Sequence, residues 1–146
     1  MDTDLPDSDA ARVDWILRHC RTIAVVGLSP QPSRASYEVA QYIQAQGYRI
    51  IPVNPHADQV LGETAYPTLM AAAAQVPIDL VDVFRRSEDV PPVVEEAVAI
   101  GAKALWLQLG IVHGAALHQA RAAGLVAVQD RCLKIDHRAF RARTGT

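Results

Sequence analysis

Three predicted helices end in a glycine that is followed almost at once by a short apolar run, and this repeat constrains the fold more than any other feature of the chain. The three glycines are Gly47, Gly101 and Gly124. Glycine adopts the left-handed conformation just after a helix at little cost, so each one marks a junction between a helix and a strand. Strands that alternate with helices across short loops form right-handed βαβ units. The repeat therefore predicts an α/β fold: a Rossmann-like doubly wound parallel sheet of five main strands plus a short edge strand, with helices on both faces.

The apolar runs also predict the order of the strands in the sheet. In spatial order the predicted strands cover 65–66, 48–53, 22–26, 78–84, 104–109 and 125–128. Helices are predicted at about 9–20, 35–46, 69–74, 90–100 and 115–123, with a frayed acidic tail at 1–8, a loop at 57–64 and a final turn or strand at 130–140. The chain reverses its winding between the strands ending at Val26 and Phe84. Ligands of such sheets bind at this reversal, beyond the carboxyl ends of the strands.

The composition indicates one globular domain over residues 1–146 and argues against several classes of protein. Of the 146 residues, 50% are hydrophobic and 21% are charged, which is typical of a chain with a full core. The formal net charge of −2 leaves no basic stripe for a nucleic acid, and no apolar run has the length of a membrane span. The acidic first residues do not read as a signal peptide, so we expect a cytoplasmic protein. Cys20 and Cys132 form no C-x-x-C motif and no disulfide framework.

A strand, a glycine, a polar loop and a helix N-terminus follow one another near the start of the chain, and together they predict an anion site. Gly27 ends the strand, Leu28 and Ser29 open the loop, and the helix begins close to Ser36. The unpaired N–H groups and partial positive charge of a helix N-terminus stabilise a phosphate. Arg34 adds a fork of donors that suits phosphate oxygens. The loop matches neither the G-x-G-x-x-G nor the Walker A pattern, so an ordinary strand-to-helix turn with a surface arginine is the alternative.

The residues after the other strands add polar and cationic groups to the same predicted edge. They are Asn54, Pro55 and His56 after the second strand, Phe84, Arg85 and Arg86 after the third, and Gln108 to Gly110 after the fourth. We expect Arg34, Arg85 and Arg86 to face one crevice and to suit a ligand with more than one phosphate. The alternative is that the last two pair with the acidic residues that open the next helix. Asn54 stands where dinucleotide enzymes commonly carry an acid for the ribose hydroxyls, which disfavours NAD.

Six motifs, in order and at fitting spacing, resemble one known family. They are VVGLSPQPSRASY, GYRIIPVNP, GETAYPTL, IDLVDVFRR, ALWLQLGI and DRCLKIDH, and they run from about Thr22 to His137. The chain resembles the small stand-alone CoA-binding proteins, which are similar to the nucleotide-binding lobe of succinyl-CoA ligase alpha subunits and of ADP-forming acyl-CoA ligases. The resemblance implies a Rossmann-like domain that binds coenzyme A, with contacts at Gly27, Ser29, Arg34, Asn54, Pro55, Phe84, Arg85, Gln108 and Gly110. Those ligases also carry a phosphohistidine domain and an ATP-grasp partner, for which this chain has no room, so we do not expect their chemistry here.

No catalytic constellation stands out, so the chain is predicted to bind coenzyme A or an acyl-CoA without catalysis of its own. The diphosphate is expected on Gly27–Ser29 and the helix N-terminus near Ser36, and the pantetheine arm along Gln108–Gly110. The adenine is expected near Asn54–Pro55, with His56 placed for a ligand contact.

Other interpretations stay open at the level of the sequence. The alternative function is an NAD(P)-dependent oxidoreductase or a nucleotide-responsive redox sensor on the same fold. Cys132 is either a small packing residue or a thiol able to exchange with that of the coenzyme. Cys132 and His137 supply two metal ligands at most, too few for a zinc site, so no metal is expected. A further alternative is a homo-oligomer, or a protein partner that senses the bound coenzyme.

Overall fold

The computed structural model describes residues 5–145 and has an α/β architecture built on one five-stranded sheet. The strands of this sheet are β1 (Thr22–Val26), β2 (Arg49–Val53), β5 (Leu80–Val83), β6 (Ala104–Leu107) and β7 (Val126–Val128). A separate two-stranded ribbon consists of β3 (Gln59–Val60) and β4 (Glu63–Thr64). The helices are α1 (Asp9–His19), α2 (Ala35–Ala45), α3 (Leu69–Gln75), α4 (Val90–Ala99), α5 (Gly114–Ala122) and α6 (Leu133–Thr144), with a 3₁₀ turn at Ser87–Asp89.

The five main strands have the spatial order that the sequence predicts. The order is β2-β1-β5-β6-β7, and every neighbouring pair is parallel. Val26 at the end of β1 lies opposite Val53 of β2 on one side and Val83 of β5 on the other. The winding reverses between β1 and β5, so the crevice expected for a ligand lies at the carboxyl ends of these two strands. The predicted Rossmann-like parallel sheet is confirmed.

Helices cover both faces of the sheet because successive residues of a strand point to opposite sides. On one face, Val81 and Val83 of β5 pack with apolar residues of α3, α4 and α5. On the other face, Leu80 of β5 and Trp106 of β6 pack with residues of α1, α2 and α6. Trp106 is fully buried, and its indole Nε1 donates to the carbonyl of Arg131 at 2.8 Å. Burial on both faces is what the near-continuous apolar strands of a parallel sheet require.

The helix ends follow the predicted chemistry. Gly47, Gly101 and Gly124 have φ values of 97°, 72° and 94°, so their prediction as left-handed helix stops is confirmed. Ser8 caps α1, with its Oγ accepting a hydrogen bond from the N–H of Ala11 at 3.2 Å. Local sequence signals therefore set these boundaries.

The loop predicted at 57–64 contains the ribbon of β3 and β4, so this part of the prediction is wrong. Leu61 and Gly62 have φ values of 53° and 77° and form its tight turn. Val60 is buried, and the side chain of Gln44 donates to the carbonyl of Leu61 at 3.0 Å. Contacts with α2 therefore stabilise a ribbon whose strands are too short to be recognised from sequence alternation.

The predicted edge strand at 65–66 is reduced to a single parallel bridge. Tyr66 pairs with Val53, donating its N–H to Pro52 at 3.0 Å and accepting from Asn54 at 2.9 Å. Pro67 follows and has no N–H group for a longer ladder. The pairing with β2 therefore ends after one residue.

The tail predicted as a final turn or strand is instead the 12-residue helix α6. Its buried residues are Leu133, His137 and Phe140 only, so the apolar periodicity is sparse and includes a histidine. His137 Nδ1 and the Tyr42 hydroxyl share a hydrogen bond of 2.9 Å, and the Tyr48 ring meets His137 edge-on. Packing against α2 and the start of β2 therefore stabilises a helix that its own sequence predicts weakly.

The frayed tail expected at 1–8 lies partly outside the described residues. Within the described part, Leu5 packs against the apolar cluster around Trp106, and Ser8 caps α1. No helix within residues 5–145 has the length and apolar character of a membrane span.

Candidate functional site

The turn at Gly27 joins β1 to the loop before α2 and packs against the end of β5. Gly27 has a φ of +88°, and its N–H donates to the carbonyl of Val53 at 2.9 Å. A Cβ at this position would overlap the carbonyl oxygen of Phe84 and lie 3.2 Å from Nη1 of Arg85. From the sequence, the expected role of this glycine is to let a ligand reach the backbone. The structure adds a second reason, because only glycine fits beside the Phe84 carbonyl.

The N-terminus of α2 has no side-chain cap in the part of the chain that the structure describes. Arg34 occupies the N-cap position without a capping hydrogen bond, whereas Thr68 caps α3 and His113 caps α5. Ser36 is buried, and its Oγ accepts from the N–H of Ser29 at 3.0 Å, which ties the loop to the helix. The first N–H groups of α2 and their partial positive charge are therefore available to an anion.

A depression of about 390 Å³ lies between the glycine turn and the start of α2. Its lining residues are Gly27, Ser29, Arg34, Ala35, Ser36 and Phe84. All of them except Ala35 are contacts that the sequence predicts, so the fold brings these predicted residues together at the reversal of the winding. None of the six lining residues carries a carboxylate, and one is an arginine. The depression therefore suits an anion such as a phosphate group.

The two arginines after β5 have different surroundings. Arg86 Nε lies 3.1 Å from Asp89 Oδ2 in an exposed pair, as the alternative interpretation expects. Arg85 has no ion pair among the described residues, and its guanidinium lies next to Gly27. Of the three arginines expected to face one crevice, the structure places Arg34 and Arg85 at the glycine turn and the helix N-terminus, and pairs Arg86 elsewhere.

Asn54 braces the loops that follow β1 and β2. Its Nδ2 donates to the carbonyl of Leu28 at 2.9 Å, and its Oδ1 accepts from the N–H of His56 at 2.8 Å. The side chain of Leu28 is fully buried in the core, so its backbone is the part that borders the turn. Pro55 and His56 are exposed. Asn54 thus shapes the loops, while Pro55 and His56 are the groups here that a ligand can reach.

The residues after β6 are held by hydrogen bonds that they donate to two aspartate side chains, one in β5 and one just after β7. Gln108 is buried, and its Nε2 donates to Asp82 Oδ1 at 2.6 Å. Gly110 is exposed, and its N–H donates to Asp130 Oδ1 at 2.7 Å. Strand β6 ends two residues before the predicted end at 109, so Gln108 and Gly110 both lie in the loop at the carboxyl edge. Two side chains distant in sequence, Asp82 and Asp130, therefore hold this loop.

Asp82 is the residue of this region that sequence reasoning misses. Its sequence position suggests a capping or pairing residue, but the side chain is 1% exposed within β5 and bonds Gln108. Burial raises the pKa of Asp82 to about 7, although the hydrogen bond from Gln108 acts to lower it. The available signal was a lone carboxyl between apolar neighbours in a strand buried on both faces.

Comparisons with known proteins identify the family. A family model described as "CoA binding domain" matches residues 21–138, which is most of the chain. The chain belongs to this family of CoA-binding domains. The protein YneT of Bacillus subtilis is 42% identical over 127 residues, which cover 87% of this chain and 93% of that protein. The structure of cell-free ID.343 from Thermus thermophilus is 33% identical, with a TM-score of 0.84, and covers 91% of this chain and 99% of that one.

A larger protein contains the fold of this CoA-binding domain as one part. The dinucleotide forming acetyl-coenzyme A synthetase 1 of Ca. Korarchaeum cryptofilum matches with a TM-score of 0.67 and 22% identity. The match covers 80% of this chain and 27% of that one. At this identity the likeness concerns the fold alone. The resemblance deduced from the six sequence motifs is confirmed for the family and for the fold.

Other reactive side chains of the CoA-binding domain are not among the residues that line the depression. Cys132 is half-buried just before α6, and Cys20 is buried, which raises its pKa to about 12. His113 Nδ1 accepts from the N–H of Ala116 at 3.1 Å and so caps α5. Within residues 5–145, no three His, Cys, Asp or Glu side chains are placed together to hold a metal ion.

Proposed function

We propose that this protein binds coenzyme A or an acyl-CoA, with the diphosphate in the depression between Gly27 and the N-terminus of α2, and that it has no catalytic activity of its own. One observation carries the proposal. A member of the CoA-binding domain family has a carboxylate-free depression at an uncapped helix N-terminus that begins at Arg34. A phosphate in this position accepts hydrogen bonds from backbone N–H groups and from a guanidinium.

Two arginines neutralise the phosphates of the ligand in this proposal. Arg34 is exposed at the N-cap of α2, and Arg85 is half-buried beside Gly27. Neither forms an ion pair among residues 5–145. Coenzyme A carries a diphosphate and a further phosphate on its ribose, so two unpaired guanidinium groups suit it better than a ligand with a single phosphate.

The rest of the ligand follows the carboxyl edge of the sheet in both directions. The adenine is proposed to lie toward Asn54 and Pro55, where the uncharged amide does not repel a phosphorylated ribose and His56 is exposed. The pantetheine arm is proposed to run along Gln108–Gly110, on the far side of β5. The two directions correspond to the two sides of the switch point.

The absence of catalysis is proposed from the side chains around the depression. Its two hydroxyl groups already accept hydrogen bonds, Ser36 Oγ from the N–H of Ser29 and Ser29 Oγ from the N–H of Gln31. Its six lining residues include no histidine, cysteine, lysine or acid that could act as a base or nucleophile. Such a lining is sufficient for binding and offers no group for proton transfer.

Thermal unfolding with coenzyme A, acetyl-CoA, NAD and NADP in parallel tests the proposal. A ligand that binds only the native state stabilises it by about 2.7 kcal/mol at 100 times its Kd. We expect coenzyme A and acetyl-CoA to raise the melting temperature clearly and NAD to leave it unchanged. Stabilisation by NAD alone would favour an NAD(P)-dependent oxidoreductase, and no shift with either form of coenzyme A would contradict the proposal.

Replacing Arg34 with alanine is expected to weaken coenzyme A binding by about 1–3 kcal/mol, because a charged hydrogen bond to phosphate is lost. Isothermal titration calorimetry measures the change. Arg49→Ala is a suitable control, since Arg49 is an exposed arginine at the start of β2, on the opposite edge of the sheet. An affinity that Arg34→Ala leaves intact would show that Arg34 does not contact the phosphates.

The paired variants Arg85→Ala and Arg86→Ala are expected to differ in the same assay. Arg85 lies beside Gly27, so its loss should weaken coenzyme A binding roughly tenfold, the effect of one charge-assisted hydrogen bond. Arg86 is 76% exposed and pairs with Asp89, so its loss should change affinity less than about twofold. Equal effects of the two substitutions would argue against a specific contact of Arg85 with the ligand.

A further inference from the structure

Asp82 is a carboxyl group inside an apolar layer, and packing does not account for it. It belongs to β5, on the sheet face that carries Leu80 and Trp106, and is 1% exposed. Burying a carboxyl group costs free energy that an apolar side chain of similar size would not cost. Its Oδ2 is the one buried side-chain oxygen or nitrogen without a hydrogen-bond partner among the described residues. A role other than stabilising the core is therefore indicated.

The partner of Asp82 is the amide of Gln108, and the bond sets the orientation of that amide. Gln108 Nε2 donates to Asp82 Oδ1 at 2.6 Å, and both side chains are buried. Since the nitrogen and the oxygen belong to one planar amide, Gln108 Oε1 points away from Asp82. This oxygen has no hydrogen-bond partner within residues 5–145 and is not among their fully buried unpaired atoms, so a small part of it is accessible although Gln108 as a whole is only 3% exposed.

The free oxygen of Gln108 lies at the same edge of the sheet as the proposed ligand site. The register of β5 and β6 places Val83 opposite Leu107, so Phe84 and Gln108 are the residues that directly follow the two strands, side by side. Phe84 lines the depression next to α2. Gln108 Oε1 is therefore an acceptor directly after β6, beside the end of β5 that Phe84 follows, at the carboxyl edge.

We propose that Asp82 is a positioning residue that holds the Gln108 amide with its oxygen outward, as the acceptor for an amide N–H of the bound ligand. This inference rests on the proposed function, because the amide N–H groups of coenzyme A are in its pantetheine arm, which is proposed to run along Gln108–Gly110. Asp82 then contributes to recognition of the arm and not of the nucleotide. Without the carboxyl group, the Gln108 nitrogen is free to turn outward and presents a donor where the ligand needs an acceptor.

The test compares coenzyme A with adenosine 3′,5′-bisphosphate, a nucleotide that lacks the pantetheine arm, by isothermal titration calorimetry. Asp82→Leu removes the acceptor for Gln108 and keeps the branched shape and the number of side-chain heavy atoms. We expect it to weaken coenzyme A binding roughly tenfold, the loss of one hydrogen bond, and to change bisphosphate binding less than about twofold. Gln108→Met should cause the same loss, and the double variant should lose no more than either single variant, because both substitutions remove one interaction.

Two further variants separate positioning from packing or charge. Asp82→Asn keeps an oxygen that accepts from Gln108, so we expect coenzyme A affinity within about threefold of the unaltered protein. Asp79→Asn changes an acid at the opposite edge, where it accepts from the N–H groups of Arg21 and Thr22, and should leave both affinities unchanged.

Two results would overturn this inference and leave the proposed function standing. They are wild-type coenzyme A affinity in Asp82→Leu, and equal losses of coenzyme A and bisphosphate affinity in that variant. If the unaltered protein fails to bind coenzyme A, the proposed function fails and the inference fails with it.

Discussion

Replacing Gly27 with alanine is expected to lower the free energy of unfolding by at least about 3 kcal/mol, which would place it among the severe single substitutions. The added Cβ would overlap the carbonyl oxygen of Phe84, a backbone atom that no side-chain rotation can move away. The φ of +88° adds strain of roughly 1–2 kcal/mol for any residue with a Cβ. Urea unfolding followed by circular dichroism measures the loss as a lower midpoint at an unchanged slope.

Gly110→Ala is the matched control for this prediction. Gly110 has a similar φ of +84°, but a Cβ there would have no atom within 4 Å. We therefore expect this variant to show only the conformational cost, roughly 1–2 kcal/mol. If Gly27→Ala cost no more than Gly110→Ala, the contact between the glycine turn and the end of β5 would have to be loose.

The free energy of unfolding of the Asp82→Asn variant is expected to rise relative to that of the unaltered protein as the pH increases. The expected change in this difference is about 4 kcal/mol between about pH 4 and about pH 8. Burial raises the pKa of Asp82 from 3.8 to about 7 in the folded protein. Between these two values the native state keeps a proton that the unfolded chain has lost, so the stability of the unaltered protein falls with rising pH. Above the folded pKa both states are ionised and the fall ends. Asparagine does not titrate, so the difference between the two proteins isolates this group.

Denaturant unfolding curves at a series of pH values measure this difference, and Asp79→Asn is the control of opposite sign. Burial acts to raise the pKa of Asp79, but hydrogen bonds from the N–H groups of Arg21 and Thr22 and the contact with Lys103 lower it. Its contribution to stability is present above the ordinary pKa and is lost as the pH falls through the folded one. Asp79→Asn should therefore be less stable than the unaltered protein by a constant amount from about pH 5 to about pH 8. A difference for Asp82→Asn that does not change with pH would show that its carboxyl group is hydrated in the native state.

Much of the fold follows from local signals in the sequence, and the exceptions are elements that long-range contacts stabilise. The strands of the main sheet and their order follow from apolar runs and from glycines such as Gly47 and Gly101, which act on their immediate neighbours. The helix α6 does not follow in this way, because its packing depends on Tyr42, which is 95 residues from His137 in the chain. The ribbon at 59–64 is missed for a related reason, since its two-residue strands depend on contacts with α2.

The candidate site likewise has one part that can be predicted from the sequence and another that depends on long-range contacts. The glycine turn, the start of α2 and Arg34 are predictable, because they are contiguous in sequence and their chemistry is that of backbone N–H groups and a single cation. The hydrogen-bond and ion-pair partners of Gln108 and Arg86 could not be predicted from the sequence, although both residues lie at the predicted edge of the sheet. Gln108 bonds a carboxyl 26 residues away, and whether Arg86 or Arg85 pairs with a nearby acid is decided by the direction in which each side chain leaves the loop.

The α/β class, the order of the parallel strands, the place where the winding reverses and the resemblance to CoA-binding domains all follow from the amino-acid sequence, because periodicity and turn chemistry operate over a few residues at a time. The folded chain is needed to show that Gly27 must accommodate the Phe84 carbonyl, that Asn54 braces two loops and that Asp82 accepts a hydrogen bond from Gln108. These features arise where strands distant in sequence come together, and the free energy of such contacts depends on burial and on geometry that no local pattern specifies.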